Sequence, residues 1–242
     1  MLPLDIHQES RSQRFSTVMY FKRLLNIHQM DLEYTYSQLV QLVMNPTQVY
    51  KMTSWRKQTK NQWSRDDPSF TMIVVIFTLI ISSAYSICFH GFVLSSFLKT
   101  IIQSLLCIIF FGALVATATW YIMNSFFRRQ LPHSPIQSVE WMYSYDIHFN
   151  ACFPFLLVFG VIQYFLLPII TKPTFFATLI ANFIILASFG IYWFITFMGY
   201  LYLPFIYNPE VLFLPFLVLA VIIILCTVFK TNLTLFWIHY FL

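Results

Sequence analysis

Five uncharged apolar runs follow one another along this 242-residue chain, at about 70–89, 100–123, 150–170, 174–198 and 211–229. Each reaches the ~20 residues that an α-helix needs to cross about 30 Å of hydrocarbon at 1.5 Å per residue. Hydrocarbon offers no water to backbone N–H and C=O groups, so runs of this kind must satisfy them internally, as helices. The composition agrees: 59% of residues are hydrophobic and 10% charged, against about 25% charged in soluble domains. The chain is therefore read as all-α, a polytopic membrane helix bundle with five transmembrane helices over 70–229. A cytosolic segment over 1–69 precedes it and a short tail over 230–242 follows. Pro154, Pro168 and Pro215 fall near the ends of runs, where neighbouring groups can take up the freed carbonyls.

Orientation follows from Lys and Arg. Nine of the 14 precede the first run, with Lys51, Arg56, Lys57, Lys60 and Arg65 close to it. Lys99 follows the first run, Arg128 and Arg129 the second, Lys172 the third and Lys230 the fifth. A cytosolic N-terminus puts 11 on the cytosolic side and three opposite, so the tail is expected in the lumen. The lumenal parts are too short for a receptor or catalytic domain, and recognition is expected on the cytosolic face or within the bilayer. The first 20 residues mix Asp5, His7, Glu9, Arg11 and Arg14 with few apolar residues. They lack the apolar core of a signal peptide, so the first span is expected to act as its own insertion signal. Cys88, Cys107, Cys152 and Cys226 sit in or beside apolar runs and read as packing residues rather than a disulfide framework. Asn232-Leu233-Thr234 is a sequon; so close to the membrane, it is expected to stay unmodified.

Two amphipathic helices are expected before the spans. Phe15, Val18, Phe21 and Leu25 form a stripe over 15–27. Leu32, Leu39, Val40 and Val43 form another over 31–44, with Asp31 as N-cap and Pro46 beyond the end. Both are read as lying on the cytosolic leaflet or docked against the bundle.

Polar chemistry is concentrated in two blocks. The first, RKQTKNQWSRDDPSF over 56–70, leads into the first span. Its cations suit anionic headgroups, Trp63 sits where an interfacial anchor belongs, and Asp67-Pro68 reads as a cap and first helical residue. The second, VEWMYSYDIHFNACFPFLL over 139–157, leads into the third span. Asp146 and Asn150 share a helix face, with His148 about 200° away. One His with two carboxylates is a thin donor set for a metal, and the hydrolase, metalloprotease and phosphate-loop patterns are missing. This block reads first as a hydrogen-bonded cap pairing with 56–67, and second as a partner-binding surface. No Asp, Glu, Lys, Arg or His is expected in the core of any span, which speaks against pumps and proton-coupled transporters. Gln103, Gln163 and Asn182 read as interhelical hydrogen bonders.

The stretches HQMDLEY (28–34), NPTQVYK (45–51), 56–70, 139–157 and GYLYLPF (199–205) resemble the Unc-fifty family of Golgi membrane proteins, in order and over nearly the whole chain. The resemblance implies five spans in a Golgi or early secretory membrane, a cytosolic N-terminus, and a role in trafficking and surface expression of other membrane proteins, notably nicotinic acetylcholine receptor subunits. It also implies a link to guanine nucleotide exchange factors for Arf GTPases. RNA binding and an inner nuclear membrane location belong to the same family picture. Here Asn26, Ile27 and His28 stand where the family carries a denser arginine run, and the segment before the first span is only +3, from nine basic and six acidic residues. That charge is meagre for binding phosphates.

The preferred reading is a non-enzymatic trafficking factor, without cofactor or metal, that binds membrane lipids and a cytosolic partner. The candidate partner-binding residues are Arg56, Lys57, Lys60, Trp63, Arg65, Asp66, Asp67, Glu140, Trp141, Asp146 and His148, with Asn208 to Glu210 on the same side. The alternatives are a small transporter or channel using Gln103, Gln163 or Asn182, a lipid-modifying enzyme using Asp146 and His148, and an RNA-binding protein of the inner nuclear membrane.

Overall fold

The computed structural model describes residues 30–129 and 137–241; the helix expected over 15–27 lies outside them. Two helices, α1 (Leu32–Met44) and α2 (Pro46–Lys60), precede α3 (Ser69–His90). The spans α4 (Leu94–Phe126), α5 (Trp141–Ile170) and α6 (Phe175–Leu201) follow. A 3₁₀ turn, Pro209–Phe213, leads into α7 (Leu214–Val228), and the short α8 (Leu233–Phe241) closes the chain. Among the described residues helices joined by short connections make up the fold, without β-strands, and five of them are long and apolar enough to cross a membrane.

Helix length organises the bundle. The first and fifth spans have 22 and 20 residues, whereas α4, α5 and α6 have 33, 30 and 27. At 1.5 Å per residue the first pair matches a hydrocarbon core, and the other three exceed it by ~10–20 Å. The surplus turns meet at one end, here called the head end. There Arg129 N–H donates to Phe205 O (2.9 Å) and Tyr207 N–H to Phe127 O (3.0 Å). Tyr143 Oη donates to Gly199 O (2.7 Å). The main apolar core lies at this end, where Leu42, Tyr50, Trp63, Tyr143, Tyr200 and Phe205 pack together.

The helix pair α1–α2 docks on the head end. Asp31 caps α1, its carboxylate accepting from Tyr34 N–H (2.9 Å). The helix buries Thr35, Gln38, Leu39 and Leu42. Pro46 does not merely follow α1 but opens α2, a position where its missing N–H costs nothing. Asn61 ends α2 in the left-handed region (φ 56°), its N–H bonding Lys57 O. Tyr50, fully buried, donates to Ile195 O (3.0 Å). Burial pushes its phenol well above the ordinary range, which keeps it a donor.

Two spans are interrupted by π turns, Cys107–Phe111 in α4 and Leu157–Ile162 in α5. Such turns displace backbone carbonyls from the regular ladder, and buried carbonyls need partners. Each finds one across the bundle: Ile108 O faces His148 Nε2 (3.2 Å), and Gly160 O accepts from Tyr85 Oη (3.2 Å).

The opposite, far end carries the turn at Gly91, the turn 171–174 and the tail. Most of the short tail over 230–242 forms α8. Trp237 of α8 packs edge-on against Tyr85 and Phe159, 5.3 Å from each. Gln163 and Asn182 act as interhelical hydrogen bonders: Gln163 Nε2 donates to Thr234 Oγ1 (3.3 Å), and Asn182 Nδ2 to Thr227 Oγ1 (2.8 Å) and Thr231 O (3.0 Å). Within the sequon, Asn232 Nδ2 donates to Ile170 O (2.7 Å), its Oδ1 caps α8, and Thr234 is fully buried. The four cysteines are free thiols.

Candidate functional site

The polar blocks 56–70 and 139–157 meet at the head end. The third span begins at Trp141 rather than near 150. Asp146 and His148 therefore lie in the opening turns of this 30-residue helix, within the surplus at the head end. The helix starts early because its polar side chains find partners in the lead-in to α3. Three successive backbone N–H groups of that lead-in are taken by two carboxylates of the second block. Glu140 accepts from Trp63 N–H (3.0 and 3.1 Å to its two oxygens) and Ser64 N–H (3.0 Å). Asp146 accepts from Arg65 N–H (2.6 Å). The Arg65 guanidinium bonds Asn150 Oδ1 and lies over the Phe70 ring, 4.1 Å from its centroid. Asp146 and Asn150, one turn apart, thus grip the same residue, as their shared face requires.

Cations and aromatics complete the latch. Lys57 Nζ lies 3.8 Å from Glu140 and 5.8 Å above the Trp63 ring, and Lys60 pairs with Asp66 at 2.6 Å. Asp67 accepts from Ser69 N–H (3.0 Å) at the start of α3 and from Asp31 N–H (2.9 Å) at the start of α1. One carboxylate thereby joins two helix N-termini, where a negative charge is favoured.

These contacts sort the sequence candidates. Trp63, Arg65, Asp146 and His148 are buried, at 4%, 8%, 3% and 7% exposure, and do not form part of an exposed face. Trp63 is not an interfacial anchor: it packs between Tyr143 and Phe205, with centroids 6.2 and 6.0 Å away. Arg56, Lys57, Asp66, Asp67, Glu140 and Trp141 are half-buried, and Lys60, Asn208 and Glu210 are exposed. Trp141 Nε1 donates to Thr117 Oγ1 (3.0 Å) and its ring stacks on Tyr145.

His148 leaves α5 on a different face from Asp146, so the two do not converge on one reacting centre. A backbone carbonyl can only accept, so the Nε2 facing Ile108 O carries the proton. Nδ1 then accepts from Tyr192 Oη at 2.8 Å. Cys152 Sγ lies 3.3 Å from the ring, and a Cβ at Gly112 would stand 2.3 Å from Nε2. The ring is wedged between three helices and serves their packing. Sequence reading missed Tyr192, Tyr200 and Asn124. Tyr200 Oη joins Thr119 and Ser144 (2.9 and 2.8 Å), while the Asn124 amide pairs with both backbone groups of Val139 (2.9 and 3.0 Å). In the sequence Tyr192 and Asn124 stand with nothing to single them out, and Tyr200 falls in the stretch GYLYLPF, which marks the resemblance but not the residue's role.

The chain is similar along nearly its whole length to proteins of one family. The UNC-50 family model matches residues 20–242. The unc-50 homolog of Dictyostelium discoideum is 40% identical over 224 residues, covering 92% of this chain and 86% of that protein. The unc-50 homolog of Rattus norvegicus is 36% identical, covering 84% and 78%, and that of Homo sapiens is 36% identical, covering 81% and 76%. No solved structure matches the chain. A five-span bundle whose two polar blocks close on one another, joined to a match over residues 20–242, places this chain in the UNC-50 family of membrane proteins.

Proposed function

We propose that this protein is a non-enzymatic factor of the Golgi or early secretory membrane that supports trafficking and surface delivery of other membrane proteins, with the head end in the cytosol as its docking face. Family membership supports the setting, and the preponderance of Lys and Arg at the head end supports the orientation. One observation carries the docking face. Helix α1 is fixed to the bundle through its buried side, yet Leu32, Tyr36, Val40 and Val43 form an exposed apolar stripe on its other side, with Tyr36 69% exposed. These positions fall on one helical face, and a stripe held in place by a rigid support is suited to receiving a partner. An Arf exchange factor is the partner that the family resemblance favours, and receptor subunits are the cargo.

The test is a Tyr36→Glu/Val43→Glu double variant. Both residues are exposed, so folding and membrane insertion should survive. Surface delivery of a co-expressed nicotinic-receptor-type cargo should fall to the level of cells lacking the protein. Full delivery by a correctly localised variant would dismiss the proposal.

A further inference from the structure

The far end presents a charge imbalance that the head end does not. The nine carboxylate side chains of the chain are Asp5, Glu9, Asp31, Glu33, Asp66, Asp67, Glu140, Asp146 and Glu210. Asp5 and Glu9 lie outside the described residues. Of the rest, Asp31 and Glu33 sit on or beside α1, Asp66 and Asp67 before α3, Glu140 and Asp146 at the head-end start of α5, and Glu210 in the turn before α7. All seven belong to the head end. The far end carries Lys99, Lys172 and Lys230, with no described Asp or Glu beside them.

Two of these lysines share one cavity. Lys172 and Lys230 line a space of about 330 Å³ where the turn before α6 meets the turn between α7 and α8. Thr174 and Asn232 add polar groups to its wall, and Phe175 and Leu235 an apolar side. Lys230 holds a left-handed backbone (φ 59°), a conformation that glycine adopts without penalty and lysine does not. The cavity also lies at the start of the 27-residue helix α6, whose dipole adds positive potential. Both ammonium groups are exposed and follow the C-termini of α5 and α7, and with no described carboxylate beside them they are open to an anion from outside. The site lies at the turns that end two spans, and its lining includes both polar and apolar residues, as a lipid has both headgroup and chain.

From this geometry we infer a binding site for an anionic phospholipid, its phosphate between Lys172 and Lys230 and its acyl chains along Phe175 and Leu235. An ammonium group beside a phosphate oxygen makes a charge-assisted hydrogen bond of this kind. The site is separate from the head-end face and does not depend on it.

Native mass spectrometry of the full chain in neutral detergent tests the assignment, with dioleoyl phosphatidic acid, dioleoyl phosphatidylcholine and inorganic phosphate as probes. The protein should retain phosphatidic acid in preference to the other two. A Lys172→Gln/Lys230→Gln variant should bind it at least about tenfold more weakly, since each lysine gives a charge-assisted contact to the phosphate. Lys172→Arg/Lys230→Arg and Lys99→Gln should bind as the parent does. Leu235→Trp, which fills the cavity and leaves both charges, should displace the lipid as well. Equal retention by the glutamine variant, equal retention of phosphatidylcholine, or saturation by inorganic phosphate alone would each overturn the assignment.

Discussion

The two ends of the bundle keep polar groups from water by different means. At the head end, charge does the work: Glu140 and Asp146 take three consecutive N–H groups from a lead-in about 80 residues earlier in the chain, and Arg65 fills the space between α3 and α5. At the far end, neutral amides suffice. Asn182, Asn232 and Gln163 pin α8 through hydrogen bonds with Leu233, Ile170 and Thr234, and Trp237 adds aromatic packing. A buried carboxylate that loses its partners leaves uncompensated charge and orphaned donors, whereas a lost amide bond between membrane helices is partly replaced by other local partners. The head end is therefore the more brittle of the two, and the far end the more forgiving.

The comparison breaks if the two ends respond alike to removal of one polar group. Asp146→Ala should be the most damaging, costing about 3–5 kcal/mol because the Arg65 N–H loses its acceptor and the buried guanidinium a nearby opposite charge. Denaturant titration of the purified protein should show it, with protease cleavage within 56–68 as a second sign. Asp146→Asn, which keeps an acceptor, should recover part of the loss. Gly112→Ala comes next, at roughly 1–3 kcal/mol, since its methyl group must displace the buried His148 ring; a midpoint equal to the parent's would show that α4 shifts freely there. At the far end Asn182→Leu should cost only about 1 kcal/mol, the scale of hydrogen bonds between membrane helices. An effect as large as that of Asp146→Ala would erase the distinction between the ends.

Hydropathy made the five spans legible, because each carries a run that only a helix in lipid can satisfy. The pairing of 56–67 with 139–150 was also foreseen, since both blocks are polar stretches placed on one side by the topology. What the pattern concealed was depth. Trp63 and Arg65 look like interfacial residues in a polar stretch, and only partners far along the chain turn them into core. Helix α2 has no apolar stripe to announce it. The first turns of α5 were discounted because Glu140, Asp146 and His148 interrupt the apolar run. Helix α8 is too short to span and so looked like a tail. The π turns leave no mark in the sequence, although His148 and Tyr85, the side chains that answer them, are visible there.

The latch also sets a timetable for biosynthesis. Trp63, Ser64 and Arg65 emerge 76 to 85 residues ahead of Glu140, Asp146 and Asn150. At 5–20 residues per second of translation, the lead-in waits roughly 4–17 s for its acceptors. During that interval α3 is already threaded into the bilayer while its polar collar stands open. Closure can begin only once the third span arrives, which makes that arrival the step at which a nascent chain commits to its final form.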